Sequence, residues 1–227
     1  MRPYDVYIGW DSREQEAFRV AHESLFRHTQ HPVNVYPLQQ KWLREQGHYW
    51  RSLDPLSSTE FSFTRFLTPY LNEYTGWALF CDCDFLFRRN LEELFKLCDD
   101  RYAVMCVKHD YRPKEQYKMD QVKQHQYERK NWSSLMLINC AHEQVKQLTP
   151  YHVNTHTGLY LHQFKWLTDD VIGPLPLEWN YLEGWHTAED CADPAAVHFT
   201  RGGPWFDNYQ NVEYANEWKR YASTGLT

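Results

Sequence analysis

Short apolar runs alternate with amphipathic stretches along the chain, a rhythm that predicts strands feeding helices. Val6-Tyr7-Ile8 reads as the first strand, and Gly9-Trp10-Asp11 turns out of it. Ser12 and Gln15 have capping-box spacing, and Ala17, Phe18, Ala21, Leu25 and Phe26 give the next helix an apolar face. Residues 33–36 read as a second strand, closed by Pro37. Ser57 and Glu60 repeat the capping-box spacing ahead of Phe63, Phe66, Leu67, Tyr70, Leu71 and Tyr74, which recur at helical intervals. Pro69 offers no amide hydrogen to the Arg65 carbonyl, so a kink is expected that projects Arg65 toward a ligand. An ordinary surface arginine is the alternative.

The next run, Trp77-Ala78-Leu79-Phe80-Cys81-Asp82-Cys83-Asp84, is a buried strand ending in two acids. Strand side chains alternate, so Asp82 and Asp84 are expected on one side. Two close carboxylates at the end of a hydrophobic strand repel each other and lose hydration, costs that a divalent cation removes. A solvated strand end is the bland alternative. Asn90 caps a short helix, and residues 102–107, 134–138 and 195–199 read as further strands. Arg201-Gly202-Gly203-Pro204-Trp205 is a glycine turn, and 211–221 a final helix. Between them, 108–130 forms a polar excursion carrying Lys108, Arg112, Lys114, Lys118, Lys123, Arg129 and Lys130. Loops this long in compact domains are often functional, with a solvated connector as the alternative. Alternating elements without a repeat predict one α/β domain over residues 1–227 with a mostly parallel sheet.

Composition narrows the classes. A net charge of −6 argues against nucleic acid as the main partner. No apolar run approaches ~20 residues, so no membrane span is expected. The start of the chain shows no signal-type apolar region. The six cysteines are scattered, and Cys81, Cys83, Cys106 and Cys140 sit in apolar segments, as small buried residues of a cytoplasmic protein do. Zinc at Cys81-Asp82-Cys83 lacks the partner pair it requires. Of the aromatics, 10 Trp and 16 Tyr among them, several lie in polar segments such as 48–51 and 204–206, where rings suit sugar faces or a protein partner.

Asp82 and Asp84, an upstream Arg65, and His198 ahead of a glycine turn occur in the order seen in GT-A glycosyltransferases. More narrowly, the segments SSTEFSFTRFLTPYL, GWALFCDCDFLF, NWSSLMLIN, LPLEWN and HFTRGGPWF resemble the glycogenin and bacterial galactosyltransferase-like retaining family. The resemblance implies a GT-A type, Rossmann-like mixed sheet flanked by helices in a single domain. Residues 1–107 would form its nucleotide-binding half and 108–227 its donor-sugar and acceptor half. It implies that Asp82, Asp84 and His198 hold Mn²⁺ or Mg²⁺ against the pyrophosphate of a nucleotide diphosphate sugar, a UDP-sugar in first place. Arg65 would contact phosphate or donor sugar and act in catalysis. Gly9, Asp11 and Arg13 are implied base and ribose contacts, with a plain turn acid as the alternative for Asp11. Cys83, Ser133, Ser134, Gly202, Gly203 and Trp205 would line the donor, and Asp169 and Asp170 would stand near the reacting carbon as base or nucleophile.

The chain departs from the family pattern twice. Trp132 aligns with the usual asparagine, Asn131 lying beside it, and Gly203 replaces the lysine before Pro-Trp in a turn one residue shorter. Arg201 is the candidate to restore the charge. The expected activity is transfer of a hexose to a hydroxyl of a glycan, a lipid-linked or a small-molecule acceptor, with retention. Two alternatives stay open: nucleotidyl transfer to a sugar phosphate, disfavoured by the glycine-poor turn at 9–13, and a non-catalytic carbohydrate-binding module.

Overall fold

The computed structural model describes residues 2–52, 57–110 and 128–224; most of the 108–130 excursion thus lies outside the described residues. Six strands form the main sheet: β1 (Tyr4–Gly9), β2 (Val33–Leu38), β3 (Trp77–Cys81), β5 (Val104–Cys106), β6 (Leu135–Asn139) and β7 (Ile172–Pro174). Their order is β2-β1-β3-β6-β5-β7. Only β6 runs against its neighbours, so the sheet is mixed and mostly parallel. A small sheet joins β4 (Phe85–Phe87), β9 (Ala196–His198) and β8 (Tyr181–Leu182), in that order.

The central strands are apolar throughout because both faces are covered. β3 and β6 are buried along almost their whole length. β2 continues through Pro37 instead of stopping there, since an edge strand tolerates a missing amide hydrogen. In the small sheet, alternation divides the side chains: Phe85, Phe87 and Ala196 join the main core, whereas Leu86, Val197 and Tyr181 join a second cluster with Val20 and Trp218.

Helix α1 (Gln15–His28) buries Ala17, Val20, Ala21, Ser24 and Leu25. Phe26, expected inside, is exposed. The buried stripe is rotated because α1 packs on β4 and on the last helix, and the Ser24 hydroxyl accepts from the Phe87 amide at 3.0 Å. The expected capping box at Ser12 is absent; the Ser12 hydroxyl donates to Glu60 instead. Helices α2 (Gln40–Glu45), α3 (Thr68–Leu71) and α4 (Leu91–Phe95) follow, the last capped by Asn90, whose Oδ1 accepts from the Glu92 amide. The single helix expected from residue 57 is instead a series of turns, a 3₁₀ turn at Thr64–Leu67 and the one-turn α3 with Pro69 in its first turn. The chain ends with α5 (Pro150–Thr155), α6 (Gly158–His162) and α7 (Ala215–Thr224). No helix among the described residues is long and apolar enough to cross a membrane.

Candidate active site

Strand directions decide what meets at the carboxyl edge of the main sheet. The ends of β3 and β5 and the start of the reversed β6 all lie there. β3 stops at Cys81, the Asp82 amide donates to the Ser134 carbonyl at 2.8 Å, and a turn carries the chain into β4 and the small sheet. Asp82 and Asp84 therefore stand on a turn between the sheets, not on a continued strand. Antiparallel pairing then sets Phe85 opposite His198, which stacks on the phenyl ring with centroids 4.5 Å apart.

The outcome is a cluster in which one ligand atom each from Asp82, Asp84 and His198 lies within 4.8 Å of the others. Its hydrogen bonds fix the tautomer of His198. Ser134 donates its hydroxyl to the Asn131 carbonyl at 2.7 Å and accepts from Asn180 Nδ2 at 2.9 Å. Asn180 Oδ1, an acceptor only, faces His198 Nδ1 at 3.1 Å, so Nδ1 carries the proton. In the neutral ring Nε2 is then a lone pair, and it points at Asp84 Oδ1 at 3.3 Å. In that form lone pair faces carboxylate, a repulsion relieved either by a proton on Nε2, which makes the contact an ion pair, or by a cation between them. Two carboxylates and a tautomer-fixed imidazole form a donor set that could hold a divalent ion.

Arg65 is buried beside this cluster, which overturns the alternative of an ordinary surface arginine. Its Nη1 donates to Asp82 Oδ1 at 2.7 Å and to the Ser133 carbonyl at 2.9 Å. The guanidinium lies over Phe61 and Phe80, 5.2 and 5.1 Å from the ring centroids. Its buried Nε has no hydrogen-bond partner among the described residues. The Ser133 hydroxyl bonds His162 Nδ1 at 2.7 Å.

Other expected contacts serve the fold. Asp11 is fully buried and accepts four hydrogen bonds: from the Arg13 amide, Nε and Nη2, and from the Glu60 amide. Burial pushes its carboxyl up, but these donors outweigh it and hold it below the usual range. Those four donors occupy the carboxylate's lone pairs, which ties Asp11 to Arg13 and to the Glu60 amide. Gly9 is pressed against Phe61, whose ring would lie 2.5 Å from an added Cβ. Cys83 is buried with its thiol on Glu14. Gly202 has φ +117°. Gly203 lies under the Trp205 ring, which packs with Phe199 and Trp218. Arg201 approaches Glu183 at 3.6 Å.

Asp169 and Asp170 are not brought to the cluster. They precede β7, which runs parallel to β5, and neither is among the clustered ligand groups. Asp169 is exposed and accepts from Arg129 at 2.5 Å.

Three residues that sequence reasoning passed over stand near the cluster. Asn180 completes the hydrogen-bond chain, and its place in LPLEWN before β8 was the available signal. His109, just past β5, is buried at 8% exposure, and His186 stacks on it with centroids 5.5 Å apart. Burial, reinforced by the neighbouring His186 and His198, pushes the His109 pKa down to about 3.

A mixed sheet with a carboxylate pair leaving its third strand and a histidine returning on a second small sheet defines the GT-A glycosyltransferase fold. Two solved structures share it over 98% of this chain: the glycosyltransferase GlyE of Streptococcus pneumoniae TIGR4 (TM-score 0.65, 16% identity) and the galactosyltransferase LgtC, seen with donor and acceptor sugar analogs (TM-score 0.63, 12% identity). The chain spans 61% of GlyE and 96% of LgtC. It belongs to the family of Protein CDI of Arabidopsis thaliana, to which it is 50% identical over 220 residues, 96% of this chain and 85% of that protein. No protein-family model matches it.

Proposed function

We propose that the protein is a metal-dependent glycosyltransferase that moves a hexose from a UDP-sugar to an acceptor hydroxyl with retention. The observation that carries the reading is the Asp82–Asp84–His198 cluster, with Arg65 and its unpartnered Nε alongside. Mn²⁺ or Mg²⁺ held by these three residues would supply charge stabilisation to the departing diphosphate. In this reading Arg65 orients Asp82 and adds positive charge at the same place. Ser133 and Ser134 hold the β6 end of the donor site, and Arg201 supplies the charge that the 201–205 turn otherwise lacks. Residues 1–107 serve the nucleotide, and the remainder serves sugar and acceptor. In this reading the departing phosphate oxygen takes the acceptor proton, the route that goes with retention.

The test is calorimetric titration of UDP and of UDP-glucose and UDP-galactose, with Mn²⁺ and with chelator. Metal-dependent binding that Asp84→Asn abolishes supports the reading, and turnover in that variant should fall at least ~10²-fold. Nucleotide binding indifferent to metal and to Asp84 would sink it. The carbohydrate-module reading draws on a separate cavity of about 550 Å³ lined by Tyr7, Tyr36, Trp42 and Asn72, which none of the cluster residues touches. Glycan binding without UDP would favour it.

A further inference from the structure

His109 has no duty in the fold that explains its imidazole. Its backbone is used, the amide donating to the Val107 carbonyl at 3.1 Å and the carbonyl accepting from the Trp132 indole at 2.9 Å. Both ring nitrogens are buried, and neither has a hydrogen-bond partner among the described residues. Asn180 spends its Oδ1 on His198 and one Nδ2 hydrogen on Ser134, and it lies near the His109 ring as a weak polar neighbour outside hydrogen-bond geometry. Orphaned buried nitrogens cost stability and are rare in folded proteins. The ring is nonetheless held in place. His186 stacks on it, and His186 is fixed in turn because its Nδ1 accepts from the Leu182 amide at 2.9 Å. The residue stands past the carboxyl end of β5, on the same sheet edge as Asp82 and Ser133, with Asn180 and His198 as neighbours.

A fixed neutral imidazole offers one donor and one acceptor. Phosphate oxygens want donors alone, and an apolar group would leave both nitrogens orphaned. A sugar hydroxyl, which donates and accepts, matches. We propose that His109 is a substrate-binding residue that hydrogen-bonds the hydroxyls of a saccharide at this site. The assignment rests on the transferase reading. Two sources share the chemistry: the hexose being transferred and the acceptor.

Titration distinguishes them. In Mn²⁺, His109→Leu should leave UDP affinity within twofold of the parent. If the donor hexose is bound, affinity for UDP-galactose or UDP-glucose falls tenfold or more. If the acceptor is bound, those are unchanged, and affinity for methyl galactoside or methyl glucoside on the UDP–Mn²⁺ complex falls instead. His109→Gln, which keeps a donor and an acceptor, should recover most of either loss. Unchanged affinity for every saccharide probe overturns the assignment, and so does an equal loss of UDP, which would mark a packing role. A parent protein that binds no UDP with metal overturns the transferase reading and the assignment with it; a responsive parent with an indifferent variant overturns the assignment alone.

Discussion

Arg65 and Asp82 form an ion pair at 2.7 Å, with only 6% and 15% of the two side chains exposed. The pair joins the 3₁₀ turn at 64–67 to the end of β3, and the flanking rings of Phe61 and Phe80 keep the guanidinium flat. Removing one partner of a buried pair strands the other charge, so Arg65→Met should lower unfolding free energy by about 3 kcal/mol. Arg65→Lys should recover only part, because a single ammonium cannot reproduce a planar group packed against two rings. Urea unfolding checks this; a loss below about 1 kcal/mol would show that solvent already screens the pair.

Asn180 acts on the cluster through His198. Asn180→Leu removes the acceptor that keeps the Nδ1 proton in place, and Mn²⁺ affinity should fall about 10–100-fold by electron paramagnetic resonance titration. Asn180→Asp keeps an acceptor toward His198 and should bind the metal at least as well as the parent. If both variants bind like the parent, the hydrogen-bond chain through Ser134 does not govern the ligand.

Gly9 tests the packing account of the first turn. An added Cβ would lie 2.5 Å from the Phe61 ring, so Gly9→Ala should cost about 1–3 kcal/mol through overpacking. Because Phe61 lies against Arg65, the same change should also weaken metal-dependent UDP binding. A fully stable variant that has lost only UDP affinity would instead make Gly9 a direct nucleotide contact.

Acid should weaken the metal-free fold through His109. Its pKa is about 3 in the folded chain, against an ordinary histidine value of 6.5, so between those values the unfolded chain takes a proton that the folded chain refuses. Stability present at pH 7 is therefore lost as pH falls, by on the order of 2 kcal/mol at pH 5. His186 and His198 face the same ring and oppose its charging. His109→Phe should flatten the pH profile of urea stability by that amount; a profile parallel to the parent would place the acid sensitivity elsewhere.

The strands β1, β3 and β6 could be read from the sequence because long apolar runs have few other uses. The three-residue β4 could not, since Phe85-Leu86-Phe87 is too short to show a period. The helix expected from residue 57 failed because Phe61, Phe63 and Phe66 are all drawn into the core, which breaks the chain into turns. At the site, Asp82 and Asp84 stood out because paired acids at the end of an apolar strand are unusual, and His198 through the resemblance, on its place ahead of a glycine turn. Asn180 and His109 did not: one asparagine and one histidine look ordinary until the short strands β8 and β5 bring them together at the sheet edge. Nor could the sequence show how Asp11 is held, its lone pairs spent on Arg13 and the Glu60 amide.

The turn at Cys83 carries one more consequence. Asp82 closes a strand of the large sheet, and His198 belongs to the small one, so an ion gripping both is a rivet across a seam. Filling the site would then change how the protein breathes as well as what it catalyses. Amide exchange in β4 and β9 should slow on Mn²⁺ addition, while the interior of β1 keeps its pace.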